Sequence, residues 1–472
     1  MAAVLCAAAP AAAQQMDAGP YGNLFKGSGK AQTHSLDLSG GLFGGYDDTP
    51  LAQAPNGPDT SFFDPRLQVP GTTSGFHSTA SYHYGHAGRG KSSTRFGVGA
   101  IASIQEFSGG SSKPLWSPNY GVNTSFGTSL TPKISFSANG GVSYSPYYQY
   151  APFLASTAPL TGAIAPGSVV TEPPADGSST SDPAGATPIP QPATNVGPVG
   201  TDAGFAVQSE FVTRVTASAG LTDRFTKRSS VSLNGSWDRM ELSQTRIETR
   251  MANLEMSHHL TRKVGVHFGY GLQESRYLDD SAANTPTLNH SIDFGIDYGD
   301  GGSISFKRYY TLSFTTGISA VRRASETQLR LDGSAALVRR IGRTWAASIG
   351  AARGTSYVLG FREPLFSDSA NAGVGGQIAP RLNFSSGAAY MVGQRAFSDS
   401  GGNLVSKSAS AKLTLGVTTH VGLYGQYSYY RYDVPDGFFS TIAFPQHQHR
   451  RSASVGLSFW VPLINQRLAR QP

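Results

Sequence analysis

The stretch Ser257–Gln273, SHHLTRKVGVHFGYGLQ, decides the fold of this chain. From Val264 onward, apolar side chains alternate with small or polar ones, so that Phe268 and Leu272 share one face and His267 lies on the other. A period of two residues is the pattern of a β-strand whose faces meet different surroundings. A short basic turn, residues 261–263, precedes the alternation. The stretch therefore predicts a long strand that follows a tight turn.

The same unit of a short turn and a long alternating strand recurs along the chain. Its closest copies begin at Ile134, Trp345, Leu382 and Val421. The connections between such segments alternate between short turns and longer loops, as they do in transmembrane barrels. Counting these segments by their alternation gives about 18 strands. Because boundaries predicted from a single sequence are imprecise, 16 strands is the alternative count.

The composition favours a membrane environment for these strands. Charged residues make up 14% of the chain and aromatic residues 11%, with 56 glycines among 472 residues. Soluble proteins carry roughly 25% charged residues. The strands are near the length of about 9–11 residues that crosses a bilayer, and a closed barrel pairs every backbone group. We therefore predict an all-β fold, a transmembrane antiparallel up-and-down β-barrel; a secreted soluble all-β protein is the alternative.

The remaining segments predict a simple domain organisation. Residues 1–13 have the composition of a signal peptide whose basic start is missing, and residues 14–32 form a short periplasmic arm. Residues 33–463 are assigned to the barrel and residues 464–472 to a C-terminal tail. Residues 151–204 are rich in Pro, Ala, Ser and Thr with hardly any aromatic residue, cannot bury enough surface to order themselves, and are predicted to be one long loop. The single cysteine, Cys6, lies in the signal peptide, so no disulfide is expected.

The segment Arg451–Leu463, RSASVGLSFWVPL, resembles the closing strand of bacterial outer-membrane β-barrel proteins. Its apolar positions Val455, Leu457, Phe459 and Val461 fit the outward face of such a strand. The resemblance implies a location in the bacterial outer membrane, contact with its lipid and recognition by the barrel-assembly machinery. The chain departs from the family pattern by continuing beyond the strand's aromatic residues. The resemblance covers residues 32–463 and identifies no subfamily.

Catalytic and metal chemistry is not expected. The net charge of +7 is carried largely by short turns, which indicates a solvated rim rather than a nucleic-acid surface. His447 and His449 could share one face near a loop, but such a pair is a weak metal signal. Asp280 and His290 are the residues that an outer-membrane hydrolase would need, and a hydrated external loop is the preferred interpretation. We predict no enzyme, no cofactor and no metal.

The lumen is the predicted place of function. A barrel of 16–18 strands leaves an aqueous channel unless it is plugged. Charges at alternating strand positions carry both signs, which predicts weak charge preference in a pore; the simpler interpretation is that they pair across strands. The candidate pore-lining residues are Glu210, Arg214, Arg246, Glu248, Arg250, Asp293, Asp297, Arg330 and Asp332.

These features predict a passive diffusion channel for small hydrophilic solutes. In general porins the loop between strands five and six narrows the pore, and residues 151–204 occupy the corresponding place, either within the lumen or outside it. The alternative is a structural or surface-binding barrel without significant conductance, which an exposed Pro-rich loop would suit. A homo-oligomer is possible by analogy with porins.

Overall fold

The computed structural model describes residues 32–48, 70–87, 93–109, 113–146, 211–242, 245–261, 264–279, 286–298, 304–306, 310–342, 344–357, 363–397, 402–435 and 447–467. Within these ranges every regular element is a β-strand. No helix in the described ranges is long and apolar enough to cross a membrane. The strands are β1 (Gln32–Asp47), β2 (Gly71–Ala87), β3 (Ser93–Gly109), β4 (Leu115–Ser129), β5 (Ile134–Pro146), β6 (Phe211–Asp223), β7 (Ser229–Leu242), β8 (Thr245–His259), β9 (Val264–Asp279), β10 (Thr287–Tyr298), β11 (Ile304–Phe306), β12 (Tyr310–Arg323), β13 (Glu326–Ile341), β14 (Trp345–Ser356), β15 (Leu365–Ala379), β16 (Leu382–Arg395), β17 (Leu404–Gly416), β18 (Val421–Asp433) and β19 (His447–Arg467).

The strands close into one antiparallel barrel. Each long strand pairs with the next along the chain, and β19 pairs with β1. The three-residue β11 pairs with the start of β12, while β10 pairs directly with both β9 and β12. Of the 19 strands, 18 therefore surround the lumen, which confirms the predicted fold class and the higher of the two counts.

The two ends of the barrel differ. β1 begins and β19 ends at the same end, which we call the terminal end; tight turns such as residues 130–133 and 380–381 also lie there. The opposite, loop end carries the longer β1–β2, β5–β6 and β18–β19 connections. Most connections follow the alternation predicted from the sequence, but β7–β8 and β12–β13 are joined by only two residues each at the loop end, and residues 299–309 separate β10 from β12 at the terminal end.

The outer face is apolar and the inner face is polar. Leu254, Phe268 and Ile292 lie on the outer faces of β8, β9 and β10 and are 48%, 53% and 51% exposed. His267 and Asp293, on the opposite faces of β9 and β10, are 2% and 7% exposed. A soluble protein shows the reverse distribution, whereas a barrel in lipid requires this one. The chain is thus an outer-membrane-type β-barrel.

Glycine allows aromatic rings to pack where the first and last strands meet. The Phe43 ring lies across Gly75 and the Tyr424 ring across Gly456, and the two rings form one buried cluster on the inner face. A Cβ atom at either glycine would lie 2.5 Å from the ring above it. Larger residues at Gly75 or Gly456 would therefore push the rings away from the strands.

The closing strand has the expected outward face but a later end. Val455, Leu457 and Val461 are 68%, 39% and 41% exposed, in line with the predicted alternation. β19 continues to Arg467, so residues 464–467, predicted to be part of the tail, belong to the last strand. Their pairing with the start of β1 extends the strand beyond the apolar face that the sequence showed. Residues 1–31 and 151–204 lie outside the described ranges.

Candidate pore and its constriction

Several predicted charges lie on the inner face. Arg214 on β6 donates through Nε and Nη2 to the carboxylate of Asp238 on β7, at 3.0 and 2.6 Å, with both side chains largely buried. Arg330 and Asp332 on β13 alternate with the outward-facing Leu329 and Leu331, which are 74% and 61% exposed, and therefore face inward. Opposite charges paired along the wall agree with the interpretation that charges pair across strands.

The prediction that Arg246, Glu248 and Arg250 line the pore is wrong. These positions of β8 share a face with Leu254, and their partners in the neighbouring strands lie on the same outward face. There, the Trp237 indole donates to Glu248 at 3.0 Å, and Arg250 lies 2.7 Å from the same carboxylate. β8 is longer than a bilayer crossing requires, so its outward positions near the loop end extend beyond the apolar belt and need not be apolar.

This placement gives a testable expectation. Replacing Arg246, Glu248 and Arg250 together by glutamine should leave the ion selectivity of the channel unchanged, because none of them faces the lumen. Selectivity would be measured as the reversal potential in a salt gradient across a planar bilayer. Arg214→Gln, on the inner face, serves as the positive control because it leaves the Asp238 charge without its partner. A shift as large as that of the control would place the β8 charges inside the pore.

One hairpin leaves the barrel wall at the loop end. β14 pairs with β13 only as far as Arg353 opposite Gly333, whereas its pairing with β15 continues to Ser356 opposite Leu365. The tip of this hairpin, which we call the mouth hairpin (residues 354–357 and 363–367 of the described chain), is therefore not hydrogen-bonded to β13 in the ladder.

The tip crosses the lumen. Tyr357, directly after β14, is 5% exposed and packs in one cluster with Val212 and Ile247, inward-facing residues of β6 and β8, with Met240 and Tyr277 beside them. In the wall, β9, β10, β12 and β13 separate β8 from β14, so this contact spans the opening rather than neighbouring strands. Burial raises the pKa of the Tyr357 phenol, which keeps the side chain neutral. The contact closes part of the mouth with apolar surface.

The other side of the tip is held against the near wall. Phe366 packs with Val321, an inward residue of β12, and with Ala396. The Arg330 guanidinium lies 4.7 Å from the centre of the Phe366 ring, within the range of a cation–π contact. Arg330 and Arg353 both donate to the Asp368 carboxylate, each at 2.7 Å. Arg330 and Arg353 thus help to hold the hairpin against the wall instead of extending into water.

Backbone contacts complete the anchorage. The Ala396 amide donates to the Pro364 carbonyl at 3.0 Å, and the Phe397 amide donates to the Glu363 carboxylate at 2.9 Å. Glu363 is 6% exposed and lies 3.6 Å from Arg395. The mouth hairpin is therefore joined to the end of β16 as well as to the wall.

The remaining predicted residues have different outcomes. Glu210 lies outside the described ranges, as does Asp280. Asp297 pairs through its backbone with Gly265, and its side chain is not described. His290 lies on the outer face, where it forms a 2.8 Å hydrogen bond with Tyr270, so it faces away from the lumen.

Of the two histidines considered as metal ligands, the structure describes the side chain of His449 alone. The His449 ring packs edge-on to Tyr429, with 5.2 Å between ring centres, and the His447 side chain is not described. Within the described ranges no group of three or more His, Cys, Asp or Glu side chains could hold a metal ion.

Sequence reasoning missed the mouth hairpin. Nothing in the sequence around Tyr357 or Phe366 distinguishes these residues, because no local pattern reveals a contact across the lumen. A signal was nevertheless present, since Val212, Ile247 and Val321 are apolar at positions whose neighbours on the same face are polar. Isolated apolar residues on the inner face of a barrel need a partner inside it.

No protein-family model and no curated protein sequence matches this chain. Among solved structures it is similar to Pseudomonas aeruginosa OpdL, with 10% identity, a TM-score of 0.43 and coverage of 91% of this chain and 99% of that chain. It is also similar to Pseudomonas aeruginosa OccK7 (OpdD), at 8% identity and a TM-score of 0.45, covering 91% and 100%. Acinetobacter baumannii OccAB2 is similar as well, with 10% identity, a TM-score of 0.43 and coverage of 91% of this chain and 98% of that chain. The barrel assignment itself rests on the strand pairing described above.

Proposed function

We propose that this protein is a passive diffusion channel of the bacterial outer membrane for small hydrophilic solutes. The observation that carries the proposal is the distribution of side chains in the closed barrel of 18 wall strands: the outer face is apolar, and the inner face carries polar and charged groups. A lumen of this size holds water unless something fills it. Arg214, Asp293, Arg330 and Asp332 are the proposed lining residues among those with described side chains.

The mouth hairpin gives this channel its restriction. Its tip narrows the loop end, with Tyr357 packed against Val212 and Ile247 and Phe366 against Val321, and hydrophobic constrictions regulate permeation by excluding water. The solutes that pass are accordingly small. Contact with outer-membrane lipid, recognition of β19 by the barrel-assembly machinery and assembly into homo-oligomers belong to the same proposal.

A structural or surface-binding barrel without conductance is the second candidate. The observation that favours it is the packing of Tyr357 against the far wall, which blocks part of the mouth. The two candidates differ in whether ions cross the folded barrel.

Conductance separates them. The refolded protein, inserted in a planar bilayer, is expected to show stable single-channel steps. A folded barrel, recognised by its heat-dependent shift in gel mobility, that remains silent would contradict the channel and support the second candidate. The same recording on a chain lacking residues 151–204 tests that segment: a larger step would assign it a place in the lumen.

A further inference from the structure

The inner face of β8, β9 and β10 contains two adjacent rows with glycine at the centre. Gly269 pairs with Glu255 on one side and Asp293 on the other, and Gly271 pairs with Asn253 and Ser291. Neighbouring strands lie about 4.8 Å apart, so the flanking residues of each row are separated by roughly 10 Å. Because glycine has no side chain, the space between them is available to the flanking groups. We call this set the glycine-centred site.

Oxygen atoms lean over both glycines. The Asp293 carboxylate covers Gly269, and Ser291 Oγ covers Gly271. Asn253 Oδ1 lies 2.8 Å from the place where a Cβ of Gly271 would be. The Asn253 amide nitrogen donates to Met251 Sδ at 3.2 Å, which turns its oxygen towards the site. The site therefore presents mainly hydrogen-bond acceptors.

Asp293 is the group in this site whose surroundings favour binding of a ligand. It is 7% exposed, and neither of its carboxylate oxygens accepts a hydrogen bond from another described residue. The His267 imidazole lies beside it, with Nε2 at 3.9 Å from Oδ2 and the ring resting over Gly295. That distance is too long for a hydrogen bond. A buried carboxylate without hydrogen bonds is destabilising, so a cation with N–H donors would bind there favourably.

We propose that the glycine-centred site binds the primary ammonium group of an organic solute inside the lumen. An ammonium group carries three N–H donors and no acceptor, which matches the carboxylate of Asp293 together with the oxygens of Ser291 and Asn253. The solute displaces the His267 ring from Asp293, and the missing side chains at Gly269 and Gly271 allow the oxygens of Asp293, Ser291 and Asn253 to converge on its ammonium group. The proposal rests on the proposed channel function and names its solute class as amines.

The test uses n-propylammonium as a blocker of single-channel current, with propionate and propanol as probes of similar size. Propylammonium is expected to block the wild-type channel, and the other two are not. Asp293→Asn should raise the half-blocking concentration roughly tenfold or more, because hydrogen bonds to charged groups are the strong ones. Gly269→Ala should weaken the block as well, since its Cβ displaces the carboxylate without removing the charge.

Asp433→Asn is the matched control. It removes one negative charge on the outer face of β18, where Asp433 accepts a hydrogen bond from Arg431 at 3.1 Å, and it should leave the block unchanged. A conducting Asp293→Asn channel with unchanged propylammonium block would overturn the site while leaving the channel function intact. If the barrel is silent, the channel proposal fails, and saturation-transfer NMR of propylammonium on the solubilised protein tests the site alone. Transfer that Asp293→Asn abolishes supports the site, and absence of transfer overturns it.

Discussion

Replacing Tyr357 by alanine is expected to open the mouth of the barrel. The ring is buried against Val212 and Ile247 on the far wall, and it is the contact by which the hairpin tip crosses the lumen. Removing a buried aromatic side chain costs about 3 kcal/mol or more, which corresponds to a change of roughly 100-fold in the ratio of closed to open states. Single-channel recordings should therefore show longer open times and larger steps than the wild-type protein gives.

Tyr427→Ala provides the control for this experiment. Tyr427 lies on the outer face of β18 and is 47% exposed, so its removal changes the same type of residue without touching the lumen. Its recordings should match those of the wild type. Equal conductance for Tyr357→Ala and wild type would show that the tip does not restrict the pore. Ile247→Ala, which removes the other side of the contact, should reproduce the effect of Tyr357→Ala on gating.

Replacing Arg450 by methionine is expected to destabilise the barrel by about 3–5 kcal/mol, because it leaves a buried carboxylate without its partner. Arg450 on β19 donates through Nε to Asp47 on β1 at 2.7 Å, and through Nη2 to the same oxygen. The two residues are 2% and 0% exposed on the inner face near the loop end. They join the last strand to the first, so their loss weakens barrel closure.

The urea midpoint of the protein refolded in lipid vesicles measures this effect. Adding Asp47→Leu to Arg450→Met should restore most of the lost stability, since replacing both members of a buried ion pair by apolar residues is often neutral. Arg431→Gln breaks the exposed pair with Asp433 on the outer face and should leave the midpoint unchanged. A single Arg450→Met variant as stable as the wild type would show that the pair contributes nothing to closure.

The alternation of residues determined the strands and most of their faces. Within Val264–Leu272, a period of two with large apolar residues on one side predicted the lipid face, and Phe268 and Tyr270 are indeed exposed there. This information is local, because a strand fixes the direction of each side chain relative to its neighbours. The antiparallel barrel and the count of 18 wall strands follow from repeating that unit until the last strand meets the first.

The tertiary structure was needed to decide which face of a strand lines the lumen near the strand's end. Arg246, Glu248 and Arg250 alternate with Ile247 and Met251, and their charge alone suggested the lumen. The alternation within β8 places them on the face of Leu254 and Met256, and the register with β7 and β9 shows that this face is outward. Near the loop end the outer face leaves the apolar belt, and the inner face meets the mouth hairpin. A charged side chain near the loop end therefore does not have to face the lumen.

The constriction likewise depends on contacts that are distant in the chain. Tyr357 and Ile247 meet only because the wall curves into a closed barrel and β14 separates from β13 at Arg353. The glycine-centred site required a three-strand register that brings Asp293 over Gly269. The sequence by itself determined the strands, the membrane-facing surface and the inward position of Asp293. The tertiary structure alone decided which inward residues meet across the lumen, because barrel closure sets those distances.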